Sequence, residues 1–572
     1  MQSRFALLLI AAGAFAAPVK DRVADRFIPA PAETQRIEGL LGERLRVNLE
    51  GRLLHVDEPR LLRGFENPPG EQAWIGEHAG KYLDAAANTW RYTHDARLKT
   101  QMDRIAQALM KTQRPDGYLG TYVDAKRWTE WDVWVHKYDL LGLLNYHQTT
   151  GDPQALATAR RVGDLLVRTF GTAPGQRDLM ASSTHVGMAA SSVLEPMVTL
   201  YRLTGEPRYL DFCWYIVHAW EQPNGPKLLT SLRTTGSVFK TANAKAYEMM
   251  SDLVGVAELY KLTGDETLLP PVLAAWYDIR DKRLYITGTT SSKEHFLDDH
   301  ILPGDDKDNV GEGCATVTWL QLTWRLFRLT GEPEYADEME RTVYNQLLGA
   351  QDPHNGNICY FTPLNGTKKA TPGINCCVSS EPRGISLLPG ITWGAFEKGP
   401  AIVFYTAGSV ETPFAKLVSE TTYPGEGAIK LTIRDPKQKR FALHLRVPKW
   451  TGSFTATVGK QRLTGTPGTF LTIDRNWKSG DTIAIEMEMS VHVLPGGKSY
   501  PDSLAIQRGP QVLAAEASLN PESTPALNGK VALKPIAAPS GWSGRQVYKL
   551  ENGVTLVPFA DALQLRVWLP KK

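Results

Sequence analysis

Cysteine is scarce in this chain, with five residues among 572. An odd and unevenly spread set excludes the fully paired disulfide framework that staples small secreted domains. Net charge is nearly absent as well. Lys and Arg total 64 against 61 Asp and Glu, leaving +3, which gives no sign of a nucleic-acid partner. Beyond the N-terminus no stretch is apolar enough for a membrane span, which needs about 20 such residues. No low-complexity linker separates one part of the chain from another, so its parts are expected to pack closely. Aromatic residues are plentiful, with 15 Trp and 20 Tyr. That supply suits a carbohydrate cleft, although most large aromatics serve as core.

The N-terminus carries a targeting pattern. Arg4 precedes an apolar run from Phe5 to Phe15, and Ala14-Phe15-Ala16 is a small-x-small cleavage pattern. Residues 1–17 therefore read as a signal peptide, removed on export to the periplasm or the exterior. Residues 18–74 are mixed and punctuated by Pro, with Arg44 to Val56 alternating like a strand.

From 75 to 395 the periodicity is helical, and a short unit recurs. It appears as Thr150-Gly151-Asp152, Thr204-Gly205-Glu206, Thr263-Gly264-Asp265 and Thr330-Gly331-Glu332, at intervals of 54, 59 and 67 residues. Each follows an amphipathic run such as Leu200-Tyr201-Arg202-Leu203. Gly ends a helix in the left-handed cap, and another helix starts soon after. A repeated helical hairpin implies an (α/α)6 toroid with a pocket at one end, or else an open solenoid. Gln113 to Tyr122 fits a loop lining such a pocket. Past 396 the signal becomes strands, at Ala401–Phe404, Ala428–Ile433, Phe441–Val447, Thr482–Glu488 and Leu504–Ile506, separated by Gly and Pro clusters. The fold class is multidomain α+β, a toroid followed by a β-sandwich region at 396–572.

Three of the five thiols fall in one stretch, Glu312-Gly313-Cys314 and then Asn375-Cys376-Cys377. Three sulfurs and a carboxylate suffice for a four-ligand zinc site. The spacing is not that of a zinc finger, and adjacent Cys seldom bond each other because the loop strains the bridge. The same residues also read as a buried Cys with a coincidental neighbour and an exposed Glu. Cys213 and Cys359 sit beside aromatics and read as buried small hydrophobes.

Taken together, the motifs resemble the β-L-arabinofuranosidases of glycoside hydrolase family 127. The likeness rests on Trp74-Ile75-Gly76-Glu77-His78 with Tyr82-Leu83-Asp84-Ala85, Trp134-Val135-His136-Lys137-Tyr138, Thr184-His185 and Lys245-Ala246-Tyr247-Glu248. It continues through Glu312-Gly313-Cys314, Tyr335-Ala336-Asp337 to Glu340-Arg341 with Tyr344-Asn345, and Asn375-Cys376-Cys377. The resemblance implies zinc held by Glu312, Cys314, Cys376 and Cys377, with Cys376 as nucleophile and Glu294 as proton donor. It implies sugar contacts from His136, His185, Glu340 and Tyr360, with Glu77 and His78 as further pocket residues. The partner would be an oligo- or polysaccharide, cut by a retaining exo-glycosidase. Family relatives are often dimers, so a homodimer is also expected.

One position departs from the family. Lys245 or its neighbours stand where arabinofuranosidases carry a pocket histidine. A cation there suits an acidic sugar through a charge-assisted hydrogen bond, and relatives cleave acidic branched sugars of pectin. Alternatively, Glu248 neutralises Lys245 and the lysine meets no sugar. Two other readings compete. One is a different toroid enzyme, a polysaccharide lyase or unsaturated-uronide hydrolase. The other is a non-catalytic carbohydrate-binding protein with structural zinc.

Overall fold

A computed structural model describes residues 18–521, 526–527 and 531–572. The expected signal peptide lies outside the described residues. Six helices form a closed inner ring: Glu77–Thr93, Asp132–Thr150, Leu194–Thr204, Ala246–Thr263, Gly313–Thr330 and Cys376–Ser386. Each packs on the next, and the last returns onto the first, so the helices close a toroid and not an open solenoid. Five are followed by an outer helix: Ala96–Lys111, Pro153–Thr169, Pro207–Trp220, Leu269–Asp278 and Pro333–Arg341. The closing helix is instead packed by Gly39–Val47 from the N-terminal segment.

That N-terminal helix corrects the expected strand over Arg44–Val56. The window begins too late to see the helical face. Leu40, Leu41, Arg44 and Leu45 are buried together, and Asn48 follows one turn on. This spacing is a helix stripe. Arg44 is buried at its end and donates to the Gln351 carbonyl at 2.9 Å.

The recurring Thr-Gly-acid unit has a local cause. Gly151, Gly205, Gly264 and Gly331 each end a helix with φ between 66° and 76°. The preceding Thr turns its hydroxyl back onto its own helix, as Thr150 Oγ1 does to the Tyr146 carbonyl at 2.8 Å. The same oxygen accepts from the amide of the acidic residue, Asp152 N at 3.2 Å. Asp152 then caps the next helix by accepting from Gln154 N at 2.7 Å. Pro153, Pro207 and Pro333 start outer helices, where a missing N–H costs nothing.

The strands form three sheets among the described residues. The first orders Ile28–Pro29, Trp393–Phe396, Gly399–Ile402, Arg440–Val447 and Thr469–Asn476. The second runs from Gln461–Thr464 through Phe454–Val458, Thr482–Met487, Ala428–Arg434, Lys416–Thr421 and Gly408–Glu411 to Gln35–Ile37. Burial alternates along Thr482–Met487, as a strand with one wet face requires. The third sheet is built on Val491–Gly496, Tyr500–Arg508 and Gln511–Glu516, with Asn365–Thr367 reaching it from the helical part. One continuous apolar core joins the toroid to the first two sheets, and two smaller cores flank the third.

Gly151 tests the cap argument cleanly, since an added Cβ would meet nothing within 4 Å. Gly151→Ala is expected to cost about 1 kcal/mol from backbone strain alone. The check is the urea midpoint of the helical circular-dichroism signal.

Candidate active site

The starts of the inner helices meet at one end of the toroid. There they surround a cavity of about 400 Å³, lined among others by Trp74, Trp131, Trp134, Glu248, Glu294 and Cys376. A wider cavity of about 1070 Å³ lies on the third sheet, near Asp305, Glu516 and Trp568. Its carboxylates are already engaged. Asp305 accepts from Asn365 and Tyr500, and Glu516 from the amides of Leu563 and Gln564. The smaller cavity holds the reactive groups, so chemistry is assigned there.

Glu312 precedes the helix Gly313–Thr330, and Cys376 is the first residue of Cys376–Ser386. Asn375 caps the latter by accepting from Val378 N at 3.1 Å. Glu312, Cys314, Cys376 and Cys377 bring one donor atom each to within 4.8 Å of one another, and these four could hold a metal ion. Cys314 and Cys377 sulfurs are 3.6 Å apart, Cys376 and Cys377 3.8 Å. Thiolates around a tetrahedral ion with bonds of about 2.3 Å sit about 3.8 Å apart. Glu312 Oε2 is buried with no hydrogen-bond partner, an acceptor that a cation would satisfy. No disulfide forms among the five thiols, and Cys213 and Cys359 are buried as expected of small hydrophobes.

The four donors are not alike. Cys314 and Cys377 are fully buried, whereas Cys376 borders the cavity. Hydrogen bonds from the Cys314 and Cys377 thiols, opposed by burial and helped by the Lys81 ammonium, pull Cys376 down to about 5. Burial pushes Cys314 up to about 12 and Cys377 well above its ordinary value. Helix starts also favour an anion at this point.

A second chain of contacts runs along the opposite wall. As a thiol, Cys376 donates to the Tyr360 hydroxyl at 3.1 Å, and Tyr360 donates to Glu294 Oε1 at 2.7 Å. Glu294 Oε2 accepts from Lys245 Nζ at 2.5 Å. Burial alone would raise the Glu294 carboxyl. The Lys245 charge and the bonds from Lys245 and Tyr360 overcome it and hold the group below its ordinary value. Burial raises Glu248 to about 7 despite Lys245 nearby. Burial, then the Lys245 charge, lowers His185 to about 4.

Of the residues expected at the site, His185, Lys245, Glu294, Glu312, Tyr360, Cys376 and Glu77 line the cavity. Cys314 and Cys377 sit behind it with the other two donors. Glu340, His136 and His78 lie elsewhere, as does the Gln113–Tyr122 loop. Glu340 is buried between toroid and sandwich, bound by Arg446 and accepting from Tyr423 at 2.6 Å and Trp450 at 2.9 Å. His136 is spent on structure. Its Nδ1 meets the Asp132 carbonyl at 2.7 Å, and its ring packs on Tyr118 and Trp128. His78 is fully buried against a small separate cavity with Arg52, Tyr82 and Ile374, and burial drives its pKa well down. In the loop, Tyr118 turns inward to donate to Asp132 at 2.8 Å.

Two groups escaped the reading of the sequence. Lys81 is buried at the metal group, 3.1 Å from Glu77 Oε1, 3.3 Å from the Cys376 carbonyl and 3.9 Å from Cys314 Sγ. Its place four residues after Glu77, between the Trp74–His78 and Tyr82–Ala85 motifs, was the available signal. Trp131 has no signal of its own. It reaches the cavity because it stands just before a helix start.

Comparisons with known proteins agree with this geometry. The profile of the β-L-arabinofuranosidase GH127 catalytic domain matches residues 46–390, and that of the GH127 middle domain matches 401–489. A non-reducing end β-L-arabinofuranosidase of Bifidobacterium longum subsp. longum is 26% identical over 507 residues, covering 77% of this chain and 75% of that one. A solved GH127 β-arabinofuranosidase superposes with a TM-score of 0.82 at 22% identity, over 96% of this chain and 98% of that one. A GH127 β-L-arabinofuranosidase from Geobacillus stearothermophilus T6 gives 0.78 at 20% identity, over 94% and 100%. These likenesses in structure establish the fold.

The placement of Glu340 is open to test. Glu340→Gln removes the charge that Arg446 faces and is expected to cost about 2 kcal/mol. It should lower the melting temperature while leaving KM unchanged, because this carboxylate lies away from the cavity.

Proposed function

Since the chain belongs to glycoside hydrolase family 127, it is a glycoside hydrolase, and we propose that it is an exported, zinc-dependent retaining exo-glycosidase releasing terminal β-L-arabinofuranose. One observation carries the reading. In the four-donor group, Cys376 alone among the thiols borders the cavity.

Three thiols and one carboxylate are a donor set suited to zinc. Bound there, zinc would keep the sulfurs ionised at neutral pH. The remaining steps belong to the chain's own residues. The wall of Trp74, Trp131 and Trp134 shields the sugar face from water. Cys376 sulfur forms a bond to the anomeric carbon as the glycosidic carbon–oxygen bond breaks. The leaving oxygen takes a proton from Glu294. Water then returns a proton to Glu294, its oxygen bonds the anomeric carbon, and the Cys376 sulfur departs. Two inversions retain configuration.

The contact with Lys245 holds Glu294 ionised in the free enzyme. Acid catalysis therefore requires the arriving substrate to loosen that contact and let the carboxyl take up a proton. This commitment of Lys245 to Glu294 also argues against a free cation waiting for an acidic sugar.

Cys376→Ala should reduce hydrolysis of nitrophenyl β-L-arabinofuranoside by at least about a thousandfold, with unchanged circular dichroism. Elemental analysis should find zinc in the purified wild type. Turnover surviving the substitution, or wild type without zinc, would end the proposal. A separate pH test follows from Lys245. Removing its charge with Lys245→Met lets the Glu294 pKa rise. The basic limb of the kcat/KM profile, which reports loss of the acid's proton, should then move to higher pH.

A further inference from the structure

Glu248 sits in the first turn of Ala246–Thr263, fully buried yet at the cavity wall. Its Oε2 has no hydrogen-bond partner in the protein. A buried acceptor left unsatisfied is costly. The cost falls on Glu248, whose other oxygen faces His185 across the cavity wall. Its Oε1 lies 4.0 Å from His185 Nε2, too far for a direct hydrogen bond.

The neighbouring histidine takes its polarity from the asparagine beside it. Asn243 Nδ2 approaches His185 Nδ1 at 3.2 Å. With the asparagine amine as donor, Nδ1 accepts and the proton of the neutral ring sits on Nε2. The gap is therefore bounded by one donor, His185 Nε2–H, and one acceptor, the Glu248 carboxylate. A hydroxyl oxygen about 2.8 Å from each would bridge it, accepting from the histidine and donating to the glutamate. A sugar carboxylate has no proton to give Glu248. It would also meet Glu294 and Glu312 on the same cavity, with Lys245 already bound to Glu294.

We propose that Glu248, with His185 opposite, selects a ring hydroxyl of a neutral terminal sugar and bars sugars that carry a carboxylate. This rests on reading the cavity as the glycosidase's sugar site. Glu248 is here a specificity-determining residue, and Lys245 contributes through Glu294 instead of through an acidic substrate.

The test uses the full-length, metal-loaded enzyme. L-Arabinose and D-galacturonate are titrated calorimetrically into wild type, Glu248→Ala and Glu248→Gln, and nitrophenyl β-L-arabinofuranoside hydrolysis is followed in parallel. Wild type should bind arabinose and show no galacturonate binding. Glu248→Ala should weaken arabinose binding about tenfold and raise KM by more than it lowers kcat. Its melting temperature should be unchanged or higher, because an unpaired buried carboxylate has been removed. Glu248→Gln keeps a hydrogen-bonding group without the charge. It should recover part of the arabinose affinity and admit galacturonate. Arabinose affinity unchanged in Glu248→Ala overturns the proposal, as does wild type that prefers galacturonate. Both of those results leave a working glycosidase. Wild type that binds neither sugar and hydrolyses no arabinofuranoside overturns the functional reading along with it.

Discussion

Several groups able to carry negative charge are brought to one buried point, and the rest of the architecture answers to that. Three thiols and Glu312 converge within 4.8 Å, with Glu77, Glu248 and Glu294 around the same cavity. Burying a charge without compensation is among the costliest things a fold can do. The toroid supplies compensation by geometry. Inner helices start around the cavity, so their positive dipole ends face the cluster. Lys81 and Lys245 add discrete cations where the carboxylates lie. What the helix starts leave over is visible in the thiols, where burial holds Cys314 and Cys377 protonated. A divalent cation fits that remainder.

Rigidity around the site comes from the β region. Arg446, on a central strand of the first sheet, is buried and bound to Asp337 and Glu340 of the outer helix Pro333–Arg341. It also donates to the Val403 carbonyl at 2.6 Å. This ionic knot crosses from sandwich to toroid inside a shared apolar core. Breaking one partner would strand the others in low dielectric. Residues quoted together as a motif thus serve two ends. Cys376 and Glu312 face the reaction space, while Asp337 and Glu340 fix the platform that holds it. The N-terminal segment joins this platform too. Ile28–Pro29 and Gln35–Ile37 each extend a sheet of the sandwich before Gly39–Val47 packs on the closing helix.

Much of this was legible before any coordinates. The Thr-Gly-acid unit marks helix ends because all of its contacts span a few residues, a hydroxyl onto its own helix, a left-handed glycine and a carboxylate over the next helix. The strands after 396 announce themselves through short apolar runs set off by Gly-Pro punctuation. Glu-x-Cys and Cys-Cys supply the four donors that could hold a metal, and it was the family resemblance, more than their spacing, that singled them out.

Local bonds in the sequence by itself thus determined where helices begin and end, and which residues carry the donor atoms. Only the tertiary structure decided which side chains meet the cavity. Glu340 and Glu248 look equally plausible as helix carboxylates in one dimension. Glu340 is claimed by an arginine 106 positions away, and Glu248 lines the cavity opposite His185. The direction a residue faces is set by ring closure and by the sheets packed behind it. Those contacts join distant parts of the chain, and no local spacing records them.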